Sequence, residues 1–137
     1  MTIRQGVEGD VRDWFAGYLD AFTSLARGAR TDSEALLAFY GVPLVMLSEE
    51  RCSALMDRSA VIGAVQTLVA GLRRVDYAGS IVHRLDVRPL NARAAIINGI
   101  FSRYDREGGE LERLGATYLV AKTDDGWRFT SIVVTPA

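Results

Sequence analysis

The chain has 137 residues, 49% hydrophobic and 24% charged, with a net charge of −1 at pH 7. This composition predicts one globular domain over residues 1–137 and excludes a disordered polymer. The arginines are scattered among carboxylates, so the chain presents no field for nucleic acid or an anionic membrane.

No apolar run approaches the ~20 residues of a membrane span. Cys52 and His83 are the single residues of their types, so an internal disulfide is impossible. A metal site or other cofactor is not expected. Met1 to Asp10 has no apolar signal core. With the lone thiol, that predicts a cytoplasmic protein.

Asp10 is a candidate N-cap for a first helix. Val11, Trp14, Tyr18, Phe22 and Leu25 follow at helical spacing, and Arg27-Gly28 is the stop. Thr31-Asp32-Ser33-Glu34 reads as a capping box for a short second helix, Asp32 to Tyr40. Leu44 to Ser48 and Cys52 to Met56 form a small hairpin around Glu49-Glu50-Arg51, with Cys52 a buried small hydrophobe. Asp57 or Ser59 caps a third helix with the stripe Val61, Val65, Leu68, Leu72 and Val75, widened by Ile62 and Val69.

After Asp76 the apolar period becomes two, and Tyr77, Ile81, Leu85 and Val87 share a strand face with His83. A turn at Pro89-Leu90-Asn91-Ala92 pairs Leu85 with Ile96, His83 with Asn98 and Ile81 with Ile100. The turn at Arg106-Glu107-Gly108-Gly109 pairs Arg103 with Glu112, Phe101 with Leu114 and Asn98 with Thr117. A three-residue loop, Asp124-Asp125-Gly126, pairs Thr123 with Trp127, Ala121 with Phe129, Leu119 with Ser131 and Thr117 with Val133. Three helices followed by a strand meander predict an α+β fold with a strongly bent, mainly antiparallel sheet.

These registers set His83, Asn98 and Thr117 side by side among Ile81, Leu85, Ile96, Ile100, Leu119 and Val133. Buried polar groups are costly unless bonded, so the row either lines a pocket or closes on itself around ordered water. Imidazole is a common general base, which makes His83 the candidate catalytic residue and Asn98 its orienter. Tyr18 lies on the first-helix stripe and faces the same space, as pocket donor or as core. The candidate ligand-binding set is Trp14, Tyr18, His83, Asn98, Thr117, Leu119 and Phe129. Asp20, Asp86, Glu49, Glu50, Asp124 and Asp125 fall on solvated, turn or opposite-face positions. The other sheet face, with Val82, Ile97, Tyr118 and Ile132, is apolar enough to predict a homodimer interface.

This element order, and the turn Asp125-Gly126-Trp127-Arg128-Phe129 into the last strand, resemble the nuclear transport factor two-like superfamily with its cystatin-like fold. Within it the chain is most similar to the SnoaL-like proteins. The resemblance implies a cone-shaped α+β barrel, three helices across a curved sheet, a pocket between them, and commonly a homodimer through the sheet. The superfamily includes ketosteroid isomerases, polyketide cyclases and dehydratases.

Tyr18-Leu19-Asp20-Ala21-Phe22 is similar to the isomerases' first-helix segment, so Tyr18 takes the place of an oxyanion donor. Their base does not carry over, because Leu44-Val45-Met46-Leu47 stands where an Asp belongs, and their second acid falls near Tyr118-Leu119. The expectation is a small-molecule-binding SnoaL-like protein with an apolar pocket. Any chemistry would be isomerase-, cyclase- or dehydratase-like acid–base transfer by His83 and Tyr18. The alternative is a non-enzymatic homodimeric or partner-binding module with a vestigial pocket.

Overall fold

The computed structural model describes residues 2–137. Helix α1 (Ile3–Ala26) begins before Asp10, because Thr2 Oγ1 accepts from Gln5 N at 3.2 Å and Gln5 Oε1 accepts from Thr2 N at 2.9 Å. This reciprocal capping box satisfies two amides that the helix end leaves without partners. Val7 and Phe15 join Val11, Tyr18, Phe22 and Leu25 on its buried face. Helix α2 (Glu34–Leu37) is a single turn anchored by Leu36 and Leu37, with Asp32 Oδ1 accepting from Glu34 N in place of the predicted Thr31–Glu34 box. Tyr40 therefore opens β1 (Tyr40–Leu47) rather than ending a helix.

Strand β2 (Cys52–Leu55) pairs with β1 as the expected hairpin, with Leu47 opposite Cys52. Ser48 N donates to Arg51 O, so the turn is tighter than Glu49-Glu50-Arg51. Cys52 is exposed rather than buried, because β2 is an edge strand and this side chain has nothing over it. Helix α3 (Arg58–Arg74) starts at Asp57, whose Oδ1 accepts from Ala60 N at 2.8 Å. Its stripe is buried at Val61, Val65, Val69 and Leu72, while Val75 is open to solvent. Strands β3 (Tyr77–Asn91), β4 (Ala94–Asp105), β5 (Glu110–Thr123) and β6 (Gly126–Thr135) follow. They complete a curved six-stranded sheet of order β2-β1-β6-β5-β4-β3, parallel only between β1 and β6. The fold is α+β. No helix among the described residues is long and apolar enough to cross a membrane.

The β4–β5 register is the predicted one, with Asn98 opposite Thr117 and an ion pair of 2.7 Å between Arg103 and Glu112. The two flanking hairpins differ. β3 and β4 turn at Ala92-Arg93 with Asn91 opposite Ala94, and with Leu90 as an extra residue this slides Leu85 to Gly99 and Asp86 to Asn98. His83 is the extra residue of a bulge, so Ile81 meets Ser102. In the last hairpin Thr123 faces Gly126, whose φ of 105° suits a residue without a Cβ, and the loop is only Asp124-Asp125. Val120 then faces Phe129. Thr130 bulges, donating its Oγ1 to Leu119 O at 3.1 Å, and restores Leu119–Ser131 and Thr117–Val133.

The helices cover the sheet face expected to be free and leave the expected pocket face outside. Ile97, Phe101, Tyr118, Val120 and Ile132 are buried, and the Phe15 ring of α1 lies against Phe101, Tyr118 and Phe129. The predicted homodimer surface of Val82, Ile97, Tyr118 and Ile132 is therefore corrected. Ile97, Tyr118 and Ile132 are 0%, 8% and 7% exposed, enclosed by the chain's own helices, and Val82 lies beside them on the peripheral strand. The physical reason is polar content. Asn98, Thr117 and Ser131 interrupt the other face, and turning that face to water avoids their desolvation. Ser102, buried at 4% exposure, is satisfied by its hydrogen bonds.

Candidate functional site

The predicted ligand-binding residues divide between the two sides of the sheet. Tyr18, Trp14 and Phe129 lie on the inner side, in one aromatic cluster. The Tyr18 hydroxyl is 2.9 Å from that of Tyr40, and the Tyr18 and Phe129 ring centroids are 4.6 Å apart. Trp14 packs on Phe129 at 4.7 Å and on Phe39 at 5.6 Å. Burial, ahead of any neighbouring charge, pushes the Tyr18, Tyr40 and Tyr118 hydroxyls well above their ordinary pKa. All three are protonated at neutral pH. The space beside Tyr18, bounded by Ser80, Phe101 and Arg103, is about 40 Å³, which suits a water molecule rather than an organic ligand.

His83, Asn98, Thr117 and Leu119 lie on the outer side. Thr117 Oγ1 donates to Asn98 Oδ1 at 2.6 Å, as two adjacent strands bring them together. His83 belongs to a different group. Its Nε2 is 2.7 Å from Ser102 Oγ, which donates to Glu110 Oε1 at 2.8 Å and accepts from Arg113 Nε at 3.2 Å. Ser102 has one proton and gives it to Glu110, so His83 donates through Nε2. That arrangement is not a nucleophile–base pair, because the hydroxyl proton is directed at a carboxylate rather than at imidazole. The Ser102 hydroxyl first, and Arg113 next, hold the Glu110 carboxyl below its ordinary range. Among the described residues, no three His, Cys, Asp or Glu side chains gather as a metal site would require.

A cavity of about 500 Å³ opens elsewhere, between α3 and the β2–β1–β6 end of the sheet. Its α3 wall is Ala60, Gly63, Ala64 and Thr67, with Leu68 at one end. Its sheet wall is Met46, Leu55, Ile132 and Val134. The alternation of the strands brings those four side chains to the inner face, and the short α3 residues do not reach them. A Cβ added at Gly63 would meet nothing within 4 Å. Ser48, Arg51 and Ser53 complete the lining, and Arg51 is its sole ionisable group. Cavities of ~300–1,000 Å³ with mainly apolar walls are the usual setting for small organic ligands. The cleft can hold an apolar body, and its walls supply no acid–base pair. Sequence reasoning missed it. The available signal was the small-residue row at positions 60, 63, 64 and 67, beside the stripe of Val61, Val65 and Leu68.

A family model described as NTF2-like protein (DUF6841) matches residues 8–137. An NTF2-like protein of unknown function from Pseudomonas putida KT2440 superposes with a TM-score of 0.73 at 11% identity, over 96% of this chain and 87% of its own. The association domain of C. elegans CaMKII gives 0.71 at 13% identity, over 96% and 97%. A ketosteroid isomerase-like protein from Erwinia carotovora atroseptica SCRI1043 gives 0.63 at 14% identity, over 93% of each chain. At these identities the likeness is one of fold. No curated protein matches the chain.

Proposed function

Because the chain belongs to the NTF2-like family DUF6841, we propose that it is a small-molecule-binding protein whose ligand occupies the cleft between α3 and the β2–β1–β6 end of the sheet. The observation that carries this reading is the cavity itself, about 500 Å³ and walled mainly by aliphatic side chains. Water gains little from filling such a space, and an apolar ligand releases it. Isomerase- or dehydratase-like transfer between His83 and Tyr18 has no supporting geometry, since the two stand on opposite sides of the sheet. Binding without catalysis is thus the simpler role. An exposed free thiol at Cys52 accords with a reducing, cytoplasmic setting.

The test is titration with a neutral apolar probe, N-phenyl-1-naphthylamine, against the wild type and Ala64→Leu. Ala64 is half-buried on the cleft wall, and leucine at that position fills the space while keeping a strong helix former. Saturable one-to-one binding, weakened about tenfold or more in the folded variant, supports the reading. Absence of binding, or equal binding by both proteins, overturns it.

A second reading is self-association through the outer sheet face. Ile81 and Leu119 are 51% and 38% exposed there, with Ile96, Ile100 and Val133 partly open around them. Leu119→Lys should then lower the apparent mass on sizing. A wild type that is already monomeric removes this reading.

A further inference from the structure

The turn between β1 and β2 sets Arg51 at the mouth of the apolar cleft. Its main chain is tied down on both sides, with Ser48 N donating to Arg51 O at 2.9 Å and Arg51 N donating to Ser48 Oγ at 3.3 Å. The position of the residue is therefore set by the hairpin. Its guanidinium is free. Arg12, Arg58, Arg84, Arg103 and Arg113 each meet a carboxylate, whereas the Arg51 side chain bonds to no described residue. Its neighbour Glu50 accepts from Ser48 Oγ at 3.4 Å instead. An unpaired fork of five donors thus stands at the edge of a space that is otherwise aliphatic.

We infer that the cleft takes an amphipathic monocarboxylate, a hydrocarbon body bearing one carboxylate head. The body lies against Met46, Leu55, Leu68 and Ile132, and the head sits at Arg51. This rests on the cleft being the ligand site. Aliphatic walls reward a body without polar groups, because any polar atom buried there lacks a partner. The guanidinium matches a carboxylate in a two-bond fork, and Ser53 brings a hydroxyl to the same lining. Glu49 and Glu50 stand exposed beside Arg51 in the turn. Their charges oppose a dianionic head such as phosphate and leave a monoanion favoured.

Calorimetric titration of decanoate and 1-decanol distinguishes this inference from the reading it rests on. Both probes share one chain and differ at the head. The wild type should bind decanoate about tenfold more tightly than 1-decanol at low ionic strength, the scale of one solvent-accessible charge-assisted contact. Added salt should narrow the gap. Arg51→Met keeps an apolar stem on an exposed turn, and should bring decanoate to the 1-decanol level without changing 1-decanol binding. Arg51→Gln should do the same. Equal wild-type affinity for the two probes, or a preference that survives Arg51→Met, overturns the monocarboxylate inference while 1-decanol binding that is lost in Ala64→Leu keeps the cleft as a ligand site. No binding of either probe, or full binding of both by Ala64→Leu, overturns the cleft reading and this inference together.

Discussion

The hydroxyl of Tyr18, in the middle of α1, lies 2.9 Å from the hydroxyl of Tyr40, the first residue of β1, and both are buried. One hydroxyl donates and the other accepts, so each satisfies a polar atom that the surrounding aromatic cluster cannot. Removing one partner leaves the other without it. Tyr40→Phe should lower unfolding free energy by about 1–2 kcal/mol in denaturant titration. The double variant Tyr18→Phe/Tyr40→Phe should cost less than the two single changes summed. Additive losses would mean the bond contributes nothing of its own.

The same burial predicts an alkaline limit. Tyr18, Tyr40 and Tyr118 all have folded-state pKa values raised above the ordinary 10.0, chiefly by desolvation. A raised value means that the folded state holds the proton after the unfolded chain has lost it. Stability is therefore intact below pH 10 and falls as pH rises beyond it, by about 1.4 kcal/mol per pH unit for each such tyrosine. Urea melts at a series of alkaline pH values should show this slope, and a shallower one in Tyr18→Phe/Tyr40→Phe.

Phe129 is enclosed by Trp14, Phe15, Tyr18, Tyr40 and Tyr118 and has no exposed surface. Phe129→Ala should cost about 3–5 kcal/mol, the loss expected for a large ring in a close-packed interior. Leu119→Ala, one sheet face away and partly exposed, should cost much less. Comparable losses at the two positions would contradict the assignment of inner and outer faces.

On the outer face, Glu110 carries the acid-side dependence. Ser102 and Arg113 hold its carboxyl below the ordinary 4.5, so its contribution to stability is present above that pH and is lost as pH falls through the depressed value. Glu110→Gln should melt slightly below the wild type at neutral pH, and the two profiles should converge as pH falls through that acidic window. A wild-type profile that is already flat there would rule out the interaction.

Much of this architecture is legible in local pattern. The apolar stripes of α1 and α3 repeat at helical spacing, Asp57 is a cap, and Arg103 opposite Glu112 fixes the β4–β5 pairing. The candidate site is much less so. Period-two alternation puts His83, Asn98 and Thr117 in one row. The turn at Ala92-Arg93 and an irregularity at Leu90 set Asp86 opposite Asn98 instead, and His83 itself falls in a bulge. Phe129 changes sides because the loop has two residues and sets it opposite Val120, and the bulge at Thr130 then restores Leu119–Ser131.

Alternation along a strand creates two faces, and the amino-acid order states what each face carries. It leaves open which face the helices cover, because both carry enough apolar surface to receive them. That choice belongs to the folded chain. The aromatic ridge of Phe15, Tyr18 and Phe22 packs on the face of Ile97, Phe101 and Tyr118, and the face interrupted by Asn98 and Thr117 keeps its water. The cleft is likewise a property of distance between elements rather than of any run of residues. Ala60, Gly63 and Ala64 are ordinary helix positions until Met46, Leu55 and Ile132 face them across an unfilled gap.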